Sequence, residues 1–208
     1  MKNSHKIGML IVGIFLWNSV SSSAGAGLDM SDYTPNIING YNTGYLTQHP
    51  TLRYNNRSLG QIEQVVIHHF AQAGQDAKIV ASYHTWHKDA NKNEWPGAGY
   101  SFIINEDGTI VICFPLGKIT YGIKNENTKS INVALAGDFD NEQVREVQIK
   151  ALYYILLMIK QEVPQELKLI GHRDGKYTSK SCPGENMYNY LKTMPIPPGY
   201  YKGGKLVA

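Results

Sequence analysis

Three short apolar runs constrain the fold of this chain more than any other feature. QVVIHHF (64–70), SINVALAGDF (130–139) and LKLIGH (167–172) are apolar runs of strand length, and QVVIHHF in particular has the pattern of a buried strand. AGYSFIINEDGTIVICF (98–114) adds two more strands about a NEDG turn, a strong hairpin signal. Between them lie segments of helical period. DNEQVREVQIKALYYILLMIKQEV (140–163) repeats apolar residues at Val144, Val147, Ile149, Leu152, Tyr153, Leu156 and Ile159, which predicts a long amphipathic helix capped by the acid at its start, Asp140. DAKIVASYHTWHKDA (76–90) sets Ile79, Tyr83 and Trp86 on one helix side, with Trp86 expected in the core and His87 on the surface. GENMYNYLKTM (184–194) reads as a short helix, with Pro183 just ahead of it. The order β-α-ββ-β-α-β-α implies a single α/β domain, a mixed central sheet flanked by helices.

The ends of the chain read differently. MKNSHK is basic, IGMLIVGIFLW is apolar, and NSVSSSAGA is small and polar, ending in Ala24-Gly25-Ala26. That order predicts a secretory signal peptide over 1–26, with an uncleaved membrane anchor as the alternative, and so a protein exported to a periplasm or secreted to a cell wall. The apolar run is shorter than the roughly 20 residues that a membrane span needs, so no span is expected once the signal is removed. Removal takes away Lys2 and Lys6 and leaves 182 of the 208 residues, enough for one domain; the formal charge falls by two from +3 to +1. A charge so nearly balanced gives no argument for nucleic acid or an anionic membrane as partner. Residues 27–60, rich in Asn, Gly and Tyr, read as an irregular arm, 61–193 as the folded domain and 194–208 as a loose tail. A monomer is expected.

The reactive side chains fall at strand ends. His68 closes one apolar run and His172 another, and Cys182 follows in the next loop. Two imidazoles and a thiolate make a three-ligand zinc set with a fourth position open. Such a site makes hydroxide available near neutral pH. The spacing alone leaves other readings open: His68 as a hydrogen-bonded core histidine, or Cys182 paired with the second cysteine, Cys113, in a disulfide. Asp107-Gly108 is turn chemistry without a function assigned to it.

Four stretches taken together, VVIHHFA, WPGAGYSFIINEDGTI, SINVALAGDF and GHRDGKYTSKSCPG, occur in an order that resembles the type 2 N-acetylmuramoyl-L-alanine amidases. These share a fold with peptidoglycan recognition proteins and the amidase-type phage lysozymes. The resemblance covers about residues 60–193. It implies that His68, His172 and Cys182 hold one Zn2+ per chain, with Cys182 a deprotonated ligand and not half of a disulfide. It implies that Tyr100 and Lys180 are catalytic, the lysine meeting negative charge that builds beside the metal. His69 then backs the ligands or lines the pocket. Trp95 walls the groove or anchors its own loop, and Arg173 either meets a peptide carboxylate or pairs with Asp174 or a nearby acid. Ala134 stands where some members carry a glutamate, which groups this chain with the Tyr/Lys members; Gly122 stands where members often carry histidine. The implied reaction is hydrolysis of the amide between the lactyl group of N-acetylmuramic acid and L-alanine in peptidoglycan or muropeptides. The alternative is a module of the same fold that binds peptidoglycan without cutting it.

Overall fold

The computed structural model describes residues 28–89, 92–178 and 181–207. The expected signal peptide and Lys180 lie outside the described residues. Seven strands form one sheet among them: β1 (Ile37–Asn39), β2 (Gln64–His69), β3 (Phe102–Ile104), β4 (Ile110–Ile112), β5 (Ser130–Leu135), β6 (Leu167–Gly171) and β7 (Tyr200–Lys202). Their spatial order is β1-β4-β3-β5-β2-β6-β7. Only the β3–β4 hairpin is antiparallel, so the sheet is mixed, as the element order implies. Three helices accompany it: α1 (Ala77–Trp86), α2 (Glu146–Glu162) and α3 (Glu185–Thr193).

The two-residue alternation of the strands divides the sheet into two faces. Val65 and Ile67 of β2, Ile131, Val133 and Leu135 of β5, and Leu167 and Leu169 of β6 pack with Leu152, Ile155, Leu156 and Ile159 of α2 and Met187 and Leu191 of α3. On the other face Ile103, Val111 and Ala134 pack with Ala77, Val80 and Ala81 of α1 and with Leu46 and Tyr54 of the arm. The central strands β2 and β5 are buried along their whole length, which explains their near-continuous apolar sequence.

Four expectations are corrected. Helix α1 buries Ala77, Val80, Ala81 and Thr85, while Ile79, Tyr83 and Trp86 are 50%, 57% and 51% exposed. The face of α1 turned to Ile103, Val111 and Ala134 of the sheet is the one with Ala77, Val80 and Ala81; Trp86 is therefore not core, while His87 is exposed as expected. Helix α2 starts at Glu146, not at Asp140. The Asp140 carboxylate instead accepts the Glu185 N–H at 2.9 Å, at the start of α3. The arm is irregular except for β1, which pairs in parallel with β4 at the sheet edge. The tail is not loose: β7 pairs in parallel with β6, the Tyr200 hydroxyl donates to the Leu156 carbonyl at 2.8 Å, and Leu206 is buried.

Candidate metal centre and its cleft

The alternation that puts Val65 and Ile67 under α2 turns His68 to the opposite face, toward α1. The same count along β6 brings His172 to that face, directly after Gly171. The two rings meet with centroids 4.6 Å apart. Cys182 arrives from the loop after β6, with its Sγ 3.8 Å from His68 Nδ1. One donor atom from each of His68, His172 and Cys182 lies within 4.8 Å of the others.

This donor set fits a metal ion. A tetrahedral ion with Zn–N near 2.0 Å and Zn–S near 2.3 Å separates its nitrogen and sulfur ligands by about 3.6 Å, close to the spacing found. Burial, and next the adjacent His172, hold His68 well below the usual histidine range, so its imidazole is neutral, as ligation requires. The His69 backbone N–H points at Cys182 Sγ at 3.4 Å, a donor that suits a thiolate. Cys182 and Cys113 are not joined in a disulfide, and Cys113 is fully buried with its thiol pushed up by that burial.

The loop that carries Cys182 is tied down at several points. The Arg173 N–H donates to the Cys182 carbonyl at 2.8 Å, and its guanidinium donates through Nε and Nη2 to the Ser181 carbonyl. Nη1 of the same group pairs with Glu185 at 2.7 Å, over the ring of Tyr188. The Ser181 hydroxyl donates to Asp140 at 2.9 Å. Arg173 therefore spends its donors on the ligand loop and on Glu185. Of the two readings that the sequence leaves open for it, the structure displays an ion pair, with Glu185 and not with Asp174.

The three candidate ligands open on a cleft of about 320 Å³, which His69, His84, Trp95, Tyr100, Tyr121, Gly122 and Ser181 also line. Tyr100 has its ring centroid 5.1 Å from that of His68. Burial, and then the neighbouring Cys182, push its phenol far up, so the hydroxyl keeps its proton at neutral pH. His84 accepts the Gly99 N–H on Nδ1 at 3.0 Å and is lowered to about 4 by burial, with His87 adding to the shift. Trp95 packs between His84 (5.2 Å) and Tyr121 (5.6 Å), so it walls the cleft and is itself anchored. The His69 ring stacks on Phe139, with Nδ1 accepting the Phe139 N–H at 3.2 Å. A groove of about 670 Å³ continues from Trp95, Tyr121, Gly122 and His172 toward Arg53, Asp89, Glu94 and Lys124.

Sequence reasoning missed His84, Tyr121, Asn132 and Thr120. Asn132 is wholly buried in β5, with Oδ1 3.1 Å from His68 Nε2 and Nδ2 3.1 Å from Thr120 Oγ1. Its one signal in the sequence is a lone amide inside the apolar run SINVALAG.

The chain can now be set beside known proteins. It is 28% identical over 113 residues to an endolysin of Enterobacteria phage K11, an alignment that covers 52% of this chain and 71% of the endolysin. It is 28% identical over 101 residues to peptidoglycan-recognition protein SC2 of Drosophila melanogaster, covering 48% of this chain and about half, 54%, of that protein. The fold matches the crystal structure of peptidoglycan recognition protein-LE in complex with tracheal cytotoxin, a monomeric diaminopimelic acid-type peptidoglycan, with a TM-score of 0.66 and 19% identity over 78% of this chain and 95% of that one. The model of the Amidase_2 family, described as N-acetylmuramoyl-L-alanine amidase, matches residues 58–185, a stretch that holds His68, Tyr100, His172 and Cys182. With more than half its length matched and the fold shared, the chain belongs to the N-acetylmuramoyl-L-alanine amidase (Amidase_2) family.

Proposed function

We propose that this protein is a zinc-dependent N-acetylmuramoyl-L-alanine amidase. It hydrolyses the amide between the lactyl group of N-acetylmuramic acid and L-alanine, in peptidoglycan or its fragments, after export directed by residues 1–26. The observation that carries this reading is the pairing of a complete ligand set with a protonated phenol in one cleft: His68, His172 and Cys182 within 4.8 Å, and the Tyr100 ring beside them. A module that only binds has no need of both.

His68, His172 and Cys182 would hold the zinc, which when bound would supply Lewis-acid polarisation of the amide carbonyl and activation of water. The protein does the rest. The cleft wall of Trp95, Tyr121 and His84 excludes water from one side of the scissile bond. The Tyr100 hydroxyl, kept protonated by burial, donates to the oxygen on which negative charge develops. Lys180, two residues ahead of Cys182 in the chain, supplies a cation for the same charge. One of Tyr100 and Lys180 delivers the proton that the leaving amine of L-alanine takes up. The groove toward Arg53 and Lys124 carries ionic side chains of both signs, suited to a peptide with carboxylates and amines, and takes the stem peptide.

The test is mass spectrometry of a defined muropeptide incubated with the purified protein, before and after treatment with a strong chelator. The expected products are the free sugar and an intact peptide beginning with L-alanine, lost on chelation and restored by zinc. Tyr100→Phe keeps the ring and removes the donor. It should lower kcat about 10²–10³-fold with zinc content unchanged. Tight binding of the muropeptide by the zinc-loaded protein without any cleavage would replace this reading with the binding module.

A further inference from the structure

We propose that Asn132 is a positioning residue for the metal centre, holding His68 in the tautomer with hydrogen on Nε2 so that the bare Nδ1 faces Cys182. This rests on the reading of His68, His172 and Cys182 as metal ligands.

The orientation of the amide follows from its far end. Asn132 Nδ2 lies 3.1 Å from Thr120 Oγ1 and 3.5 Å from the Thr120 carbonyl oxygen. A backbone carbonyl only accepts, so the NH2 group of Asn132 must be the one facing Thr120. The side-chain oxygen then faces His68, 3.1 Å from Nε2. An amide oxygen also only accepts, so Nε2 must carry the hydrogen. In a neutral imidazole that leaves Nδ1 bare, and Nδ1 is the nitrogen 3.8 Å from Cys182 Sγ. Asn132 and Thr120 have no exposed surface, so no solvent competes for these bonds.

Space ties a fourth residue to the arrangement. A Cβ on Gly122 would come within 2.3 Å of both Cγ and Oδ1 of Asn132. The amide thus occupies the volume that any side chain at 122 would need. Gly122 and Asn132 work as a pair: the missing side chain in the loop ahead of β5 admits the amide of β5 that orients His68 on the neighbouring strand β2. A metal-ligating histidine whose other nitrogen lacks such a partner loses typically 10–100-fold in metal affinity.

Two measurements on the full chain test this. In the metal-free protein, long-range 1H–15N correlation of the histidine rings reads the His68 tautomer directly; the Nε2–H form is expected. Zinc affinity is then measured by competition with a chromophoric chelator. Asn132→Leu, close in volume but with no acceptor, should bind zinc 10–100-fold more weakly. Asn132→Asp keeps an acceptor toward Nε2 and should return affinity to within about threefold of wild type, a rescue that a merely structural role would not give. An Nδ1–H tautomer in the wild type, zinc affinity of Asn132→Leu within twofold of wild type, or no recovery in Asn132→Asp would overturn the proposal. A wild type with the Nε2–H tautomer that binds no zinc would instead overturn the metal reading beneath it, and the positioning role would fall with it.

Discussion

Burial sets the chemistry of single residues in this cleft. His84 is lowered to about 4 because its imidazole is taken out of water against Trp95 and Tyr100. Its ordinary value is near 6.5, so the unfolded chain binds a proton there over the interval in which the folded chain does not. Stability is full above pH 6.5 and falls as the pH drops from 6.5 toward 4, by up to about 1.4 kcal/mol per pH unit for each such histidine. Urea unfolding of the chelator-treated protein across that interval should show the fall, and His84→Gln should flatten it. The residues found from sequence and those missed differ for a physical reason. His68 and His172 stand out because a histidine closing an apolar run interrupts a pattern. Asn132 and His84 do not, since one amide in a strand and one imidazole in a helix have many uneventful explanations. Their meaning comes from partners distant in the chain, Asn132 with His68 and His84 with Gly99.

At the scale of elements, the strands were legible and helix α1 was legible only as a helix. Its bulky residues follow a helical period, yet the face against the sheet is the one with Ala77 and Ala81. Period identifies the element; which face is buried depends on how close the partner lies, and that is not local information. The corollary is measurable by denaturant unfolding. Ile79→Gln and Trp86→Gln, both on the half-exposed side, should change stability by no more than about 0.5 kcal/mol. Ala81→Leu should cost about 1–3 kcal/mol by overpacking the tight contact. The acid at 140 was legible as a cap, but its helix was not. Asp140 serves α3 across a fold that brings residues 138–140 to the start of that helix, and it holds Ser181 beside the candidate ligand Cys182 at the same time. The loop and the metal site are thus one construction.

At the scale of the molecule, the sheet reaches beyond the segment that resembles the family. The arm and the tail contribute the edge strands β1 and β7, and the strand with His68 lies between β5 and β6, away from either edge. Three-residue edge strands of weak local pattern become strands only because a neighbour offers them a ladder, β4 for β1 and β6 for β7, which is why sequence alone read the tail as loose. Truncation after Met194 removes β7 and the buried side chains of Tyr200 and Leu206, each worth about 1.5–3 kcal/mol. Thermal unfolding of that variant should show a large loss of stability, where a loose tail would leave the Tm unchanged. The metal centre is the point at which strand order, register and loop anchoring all meet, and it can be observed without a substrate. The most direct measurement is X-ray absorption at the zinc edge on the purified, zinc-loaded chain. One sulfur at about 2.3 Å beside nitrogen or oxygen neighbours near 2.0 Å, with the sulfur lost in Cys182→Ser, is the predicted result. A spectrum without sulfur, or one that Cys182→Ser leaves unchanged, would contradict a centre built from His68, His172 and Cys182.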